Sequence, residues 1–175
     1  MATKAFYEKL VAWAKTYEVG VVSDLAYGAL GYQGYENPSF LSTPGAKDVG
    51  IEFYTFSKTF NMAGWRLAFA AGNDQMIEAL NLIQDHLFVG IFPALQEAGI
   101  AALLDPKSEE AVAQLNATYD SRRDAFVQAA AKIGWQAFPS RGSFYAWMPV
   151  PEGYTSESFA DLLLEKVHVA VAPGK

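Results

Sequence analysis

The chain has 175 residues, 51% of them apolar, and a formal net charge of −6. Its pI of about 4.9 disfavours nucleic acid or an anionic membrane surface as a partner, and a mean hydropathy of +0.07 marks a globular rather than a disordered chain. With no cysteine and two isolated histidines, disulfides, thiolate catalysis and cysteine zinc sites are excluded, and a histidine-rich metal site is not expected.

Thr3 to about Glu18 reads as an amphipathic helix, with Phe6, Leu10, Trp13 and Ala14 on one face. Val19–Val22 is a short apolar run of the kind that forms a buried parallel strand, and it leads directly to Ser23 and Asp24. Residues 28–47 mix Gly, Pro and aromatics as an ordered loop does. Ile51–Phe56 and Leu67–Ala71 are two further strands. Asn73 and Asp74 open a helix to about Phe88, and Pro93 opens another that ends near Asp105-Pro106. Ser108, an N-cap followed by two glutamates, begins a long helix that stops at Gly134. Strand-like Trp135–Phe138 and Ser143–Met148, a helix over Ser156–Lys166 and strand-like Val167–Ala172 complete the chain.

This alternation defines an α/β fold. Residues 1–105 are expected to form part of a mostly parallel sheet with flanking helices, and residues 106–175 part of a smaller α+β domain, both incomplete. No apolar stretch approaches a membrane span, and the first residues carry no apolar signal core, so the cytoplasm is the expected location.

Between the second and third strands lies Ser57-Lys58-Thr59-Phe60-Asn61-Met62-Ala63-Gly64-Trp65-Arg66. A lysine in the loop between two buried strands, with an arginine at the start of the second, is costly unless the charges are used. One economical use is a Schiff base between Lys58 and an aldehyde cofactor whose phosphate Arg66 holds. Ser-Lys-x5-Gly-x-Arg, preceded by Thr55, is one of four such segments. The others are Asp24-Leu25-Ala26-Tyr27 at a strand end, Gly142-Ser143-Phe144-Tyr145-Ala146-Trp147, and the final Val171-Ala172-Pro173-Gly174. In this order they resemble the class I/II pyridoxal-phosphate-dependent aminotransferases of fold type I, over essentially the whole chain.

The resemblance implies pyridoxal 5′-phosphate as cofactor and a role for each matched residue. Lys58 would form the Schiff base and later move a proton between the substrate Cα and the cofactor, a double role that suits a readily desolvated amine. Asp24 would pair with the pyridine nitrogen and keep it protonated, so that the ring withdraws electrons. Tyr27 would donate to the phenolic oxygen. Arg66, with the hydroxyls of Thr55 and Ser57, would bind the phosphate; many family members have Ser or Gly where Thr55 stands.

The implied substrates are an amino acid and a 2-oxo acid, and the implied assembly is a homodimer. Family members are longer at both ends, so the chain is expected to be an internal to C-terminal piece. It lacks the glycine-containing phosphate turn, the Asn-Pro-x-x-Pro-Thr-Gly element and the carboxylate-binding arginine. Two alternatives stand beside the transaminase reading: a C–S lyase of the same fold, and a folded fragment without activity of its own. His86 and His168 are expected to be structural, and Arg122 and Arg123 to lie on the solvated face of the long helix. Phe144, Tyr145 and Trp147 are expected to pack in a small-domain strand. Asn61 and Trp65 are assigned to the site, the dimer interface or the core.

Overall fold

In the computed structural model, which describes residues 2–138 and 140–174, helix α1 runs Lys4–Tyr17. The Thr3 side chain caps it by accepting from the Phe6 N–H, and Glu18 ends it in the left-handed conformation. Strand β1 is Val21–Asp24, so Asp24 is its last residue. A single helical turn, α2 (Ala46–Val49), precedes strand β2 (Gly50–Thr55). Another, α3 (Phe56–Thr59), follows it, and β3 is Ala68–Gly72.

The three strands form one sheet in the order β1-β2-β3. β1 and β2 are parallel, with Val21 opposite Gly50 and Asp24 opposite Phe53. β3 runs antiparallel to β2, so the described part of the sheet combines one parallel and one antiparallel pair. The connection explains this. Residues 56–67 hold only α3 and a 3-10 turn at Ala63–Trp65, and neither can carry the chain back along the sheet as a crossover helix would.

One face of β1–β2 is sealed by Val11 of α1, Phe40 and Ala46, with Tyr7, Leu10, Val21, Leu41 and Val49 packed around them. Into this interior β2 sends a carboxylate. Glu52 is 6% exposed and accepts from the Ser23 hydroxyl at 3.0 Å, the Ser39 hydroxyl at 2.5 Å and the Phe40 N–H at 2.7 Å. Three donors offset the cost of burying the charge.

Tyr7 adjoins this cluster. Burial pushes its hydroxyl above the ordinary tyrosine value of 10.0, a hydrogen bond with Ser23 pulls it down, and the Glu52 and Tyr35 charges push it up. The folded chain thus holds the neutral phenol more tightly than the unfolded chain does. That contribution is complete below the unfolded value and is lost as pH rises through the folded one. Tyr7→Phe should therefore lose less stability than the wild type between about pH 9 and pH 11. Urea melts across that range measure the difference, and parallel curves would show that Tyr7 contributes nothing to it.

Helix α4 (Asp74–Leu87) is capped by Asn73, which accepts from the Met76 N–H; α5 spans Pro93–Leu104 and α6 Ser108–Lys132. Ser108 lies within α6 rather than ahead of it, and its hydroxyl donates to the Ala102 carbonyl at 2.6 Å. Gly99 lets α5 press its bare backbone on the lysine turn. A methyl there would sit 2.7 Å from Leu67 and 3.3 Å from the Phe56 ring.

The chain divides into two compact units, Met1–Arg122 with Ser140–Phe144, and Arg123–Pro139 with Tyr145–Lys175. The second unit contains the rest of α6 and helix α7 (Ser156–Val167), whose Thr155 and Ser158 form a reciprocal capping box. Its small core sets Phe159 edge-on against Trp135 at 5.6 Å and against Tyr154 at 5.5 Å.

The three late strands of the sequence reading do not form. Phe138 and Trp147 meet at a single bridge, Gly142 bridges Gly31 in the first unit, and Val167 belongs to α7. A strand is a pairing, and among the described residues these segments have no partner for a ladder. Arg123 also departs from expectation: its side chain is 11% exposed and pairs with Asp124 at 2.6 Å. Arg122 is exposed, its guanidinium 5.8 Å from the Tyr119 ring centre, and His86 and His168 are exposed rather than built into a core.

Candidate active site

Lys58 is carried by a rigid turn rather than an open loop. The Thr55 hydroxyl accepts from the Ser57 N–H at 3.1 Å and starts α3. Phe56, Ser57 and Thr59 turn inward and are buried, and Thr59 accepts from the Tyr54 hydroxyl at 2.8 Å. Lys58 is left half-buried.

The Thr55 proton has the Ser57 Oγ at 2.9 Å and the Leu67 carbonyl at 3.3 Å within reach. That carbonyl also accepts from the Phe56 N–H at 3.2 Å, so the backbone beside Arg66 is tied to the start of the lysine turn. Asn61 and Arg66 both adopt left-handed φ, 54° and 52°. Such conformations cost energy outside glycine and persist where the surroundings impose them, often at functional sites.

Arg66 ends the 3-10 turn rather than beginning β3. Its guanidinium is exposed and donates to the Ala63 carbonyl at 2.8 Å instead of lying on the Thr55 and Ser57 hydroxyls. Its reach is set by a flexible side chain on a fixed backbone.

Asp24 ends β1 opposite Phe53, and Thr55 lies two residues beyond Phe53 on β2. Side chains alternate along a strand, so Asp24 and Thr55 share one face at the carboxyl ends of adjacent parallel strands. Ligands of open α/β sheets bind outside such ends. Asp24 is exposed there.

Tyr27 sits in the turn that follows. The Asn37 amide donates to the carbonyls of Tyr27 at 2.8 Å, Leu30 at 3.1 Å and Gly28 at 3.2 Å, while the Asn116 amide donates to that of Ala29 at 2.7 Å. Two amides thus clamp four consecutive carbonyls. Neither asparagine stands out in the sequence: Asn37 closes its own loop and Asn116 reaches Ala29 from α6, and neither contact leaves a motif.

The residue that joins Tyr27 to Lys58 is Phe144. Its ring meets Tyr27 edge-on at 5.3 Å between centres, and the Lys58 Nζ lies 5.4 Å from its centre. Sequence reasoning assigns Phe144 to a packed small-domain strand. Residues 140–144 lie in the same compact unit as Tyr27 and Lys58. The signal was the Gly-x-Phe-Tyr-x-Trp motif itself, read as packing.

Together these features define an α/β domain that offers an amine, a carboxylate, a phenol, two hydroxyls and a guanidinium around one sheet end. Residues 1–175 match the family model described as aminotransferase class I and II, and the chain belongs to that family. It is 56% identical over 174 residues to the L-glutamine–4-(methylsulfanyl)-2-oxobutanoate aminotransferase of Bacillus subtilis, covering 99% of this chain and 43% of that protein. It is 45% identical to an LL-diaminopimelate aminotransferase of Moorella thermoacetica, with 99% and 44% covered. The substrate-bound structure of BacF from Bacillus subtilis aligns at a TM-score of 0.94 and 45% identity, again over 99% of this chain and 44% of that one. The chain thus spans less than half the length of these relatives.

Proposed function

We propose that this chain is part of a pyridoxal-phosphate-dependent aminotransferase that moves an amino group between an amino acid and a 2-oxo acid. The observation that carries the reading is the half-buried Lys58, held on a capped turn against the Phe144 ring on which Tyr27 also packs, with Asp24 and Thr55 on one face at the adjacent strand ends. Family membership supports it independently.

The donor set fits the cofactor by its chemistry. When bound, pyridoxal 5′-phosphate supplies an aldehyde that condenses with amines and a ring that withdraws electrons from the bond being broken. Lys58 would anchor the aldehyde, and its amine would take a proton from the substrate Cα and return it. Asp24 would hold a proton at the ring nitrogen. Tyr27 would donate to the ring oxygen. Arg66, Thr55 and Ser57 would bind the phosphate, with the guanidinium swinging away from Ala63 to do so.

A cytoplasmic homodimer is part of the same proposal. Leu87 at 70%, Phe88 at 66% and Phe92 at 68% exposure lie close together along the chain at and just beyond the end of α4, a concentration that supports a protein interface there. Among the described residues, no helix is long and apolar enough to cross a membrane. The division at residues 1–105 and 106–175 is proposed as that of the whole enzyme's two domains, supported by the Asp105-Pro106 break between α5 and α6.

The test adds pyridoxal phosphate, reduces with borohydride and maps the labelled peptide. Labelling of Lys58 well above the other lysines is expected. Uniform labelling in the 175-residue chain and in a longer version alike would sink the proposal. For the chain alone, weak or no transamination is expected in an assay of L-glutamine with 4-(methylsulfanyl)-2-oxobutanoate, the pair named by its Bacillus subtilis relative. Robust turnover by the isolated chain would show that the 175 residues suffice.

A further inference from the structure

We infer that Phe144 is a positioning residue for Lys58: its ring is the platform that holds the lysine amine in place. The inference rests on reading Lys58 as the cofactor's anchor. Its evidence is geometric and lies within the first unit.

The Lys58 Nζ is 5.4 Å from the Phe144 ring centre, within the range at which the π face attracts an ammonium. The ring cannot easily move. Tyr27 meets it at 5.3 Å with an interplanar angle of 81°, and Tyr119 of α6 lies at 5.5 Å and 31°. Two aromatic neighbours thus fix one ring beside one amine.

The backbone that delivers Phe144 is fixed too. The Tyr32 N–H donates to the Arg141 carbonyl at 3.0 Å, the Ser143 N–H donates to the Leu30 carbonyl at 3.1 Å, and the Tyr32 hydroxyl donates to the Ser143 carbonyl. Gly142 and Gly31 form a β-bridge, and the turn that presents Gly31 needs glycine, since a Cβ there would lie 1.8 Å from the Tyr35 carbonyl oxygen. Ser143 itself sits at φ 63°, a left-handed conformation outside glycine. Strain at the residue before the ring, over-determined by hydrogen bonds on both sides, marks a constrained placement.

A free lysine has four rotatable side-chain bonds and a large rotamer entropy. A platform that restricts it brings the amine to one position before the aldehyde arrives, which is the advantage of preorganisation. The ring takes no proton and forms no bond.

Two readouts on the 175-residue chain test this. Lysines are reductively methylated with 13C-formaldehyde, and the Lys58 signal is assigned by its absence in Lys58→Arg. Ring current should move the Lys58 methyls upfield of the other lysines in the wild type and in Phe144→Tyr, which keeps a π face. Phe144→Leu should return them to the common position, with Phe144→Met as a second variant lacking a π face should the leucine protein fold poorly. In separate, unmethylated samples, selective capture of pyridoxal phosphate at Lys58 should fall about three- to five-fold in the leucine variant and be kept in the tyrosine one. Lys58 methyls that coincide with the other lysines in the wild type, or that do not move in both variants lacking a π face, would overturn the inference, as would full capture by the leucine variant. Shifted methyls with no selective capture by the wild type, in this chain and in a longer version alike, would support the platform and refute the cofactor reading instead.

Discussion

Lys58→Arg is expected to abolish selective capture of pyridoxal phosphate and to lower transamination by about 10⁴-fold in the longer enzyme of which we propose this chain to be a part. Arginine keeps the positive charge, so electrostatic attraction of the phosphate survives. What disappears is an amine that can condense with an aldehyde and carry a proton. Loss of a positioned acid–base group alone typically costs 10²–10⁴-fold, and here the anchoring role goes with it. The surroundings support a clean comparison: Phe56, Ser57 and Thr59 are buried while Lys58 is half-buried, so the substitution does not reach into the core. The melting temperature should stay within a few degrees of the wild type. Retention of more than about a tenth of the activity by a folded variant would remove Lys58 from the mechanism. Asp24→Ala completes the comparison, since it leaves the amine intact and removes the group proposed to keep the ring nitrogen protonated. If both variants act on the same site, Asp24→Ala should weaken cofactor retention while the residual adduct still maps to Lys58.

The parts of the fold that were legible are those written locally. Asn73 caps α4 and Pro93 opens α5 where expected, because a cap or an N-terminal proline acts on the next turn of the chain. Asp24 at the end of β1 was legible because an apolar run that stops at an acid marks a strand leaving the sheet. Strand direction was not. Ile51–Phe56 and Leu67–Ala71 read alike, and only the geometry of the intervening turns makes β3 antiparallel. The late strands failed for the same reason: β-branched composition was visible at 167–172, but pairing partners were not.

The site divides along the same line. Lys58, Thr55 and Ser57 are neighbours in sequence, and the hydrogen bonds between Thr55 and Ser57 that shape the lysine turn are a local matter. The platform under Lys58 comes from Phe144, far along the chain, and the clamps on the Tyr27 turn come from Asn37 and Asn116. Such contacts carry no periodic signature. Arg123 shows the complementary error, since charge alone assigned it to solvent, whereas its side chain is largely covered.

Glu52→Ala should be the most destabilising single change in the first unit outside the aromatic core, costing about 3–5 kcal/mol. Glu52 stands as a lone acid in an apolar strand, a pattern that signals a buried partner set, and the structure supplies it. The Ser23 and Ser39 hydroxyls and the Phe40 N–H all point at one carboxylate that is 6% exposed. Alanine would leave the Phe40 N–H buried without an acceptor and open a cavity between β1 and the Ser39–Phe40 segment. Hydroxyls can rotate to other acceptors, but a backbone N–H cannot, so most of the cost falls on Phe40. Glu52→Gln separates shape from chemistry. It keeps the volume and one acceptor oxygen but presents an NH₂ to a site furnished with donors, so a smaller loss of about 1–2 kcal/mol is expected. Against a typical domain stability of about 5–15 kcal/mol, the alanine variant should be largely unfolded at moderate urea while the glutamine variant still folds. Equal urea midpoints for wild type and alanine variant would show that the three hydrogen bonds contribute nothing to the stability of this unit. Because Ser23 precedes Asp24 on β1, the same loss should loosen the strand end that carries the carboxylate. Glu52→Gln should therefore weaken selective capture at Lys58 less than Asp24→Ala does.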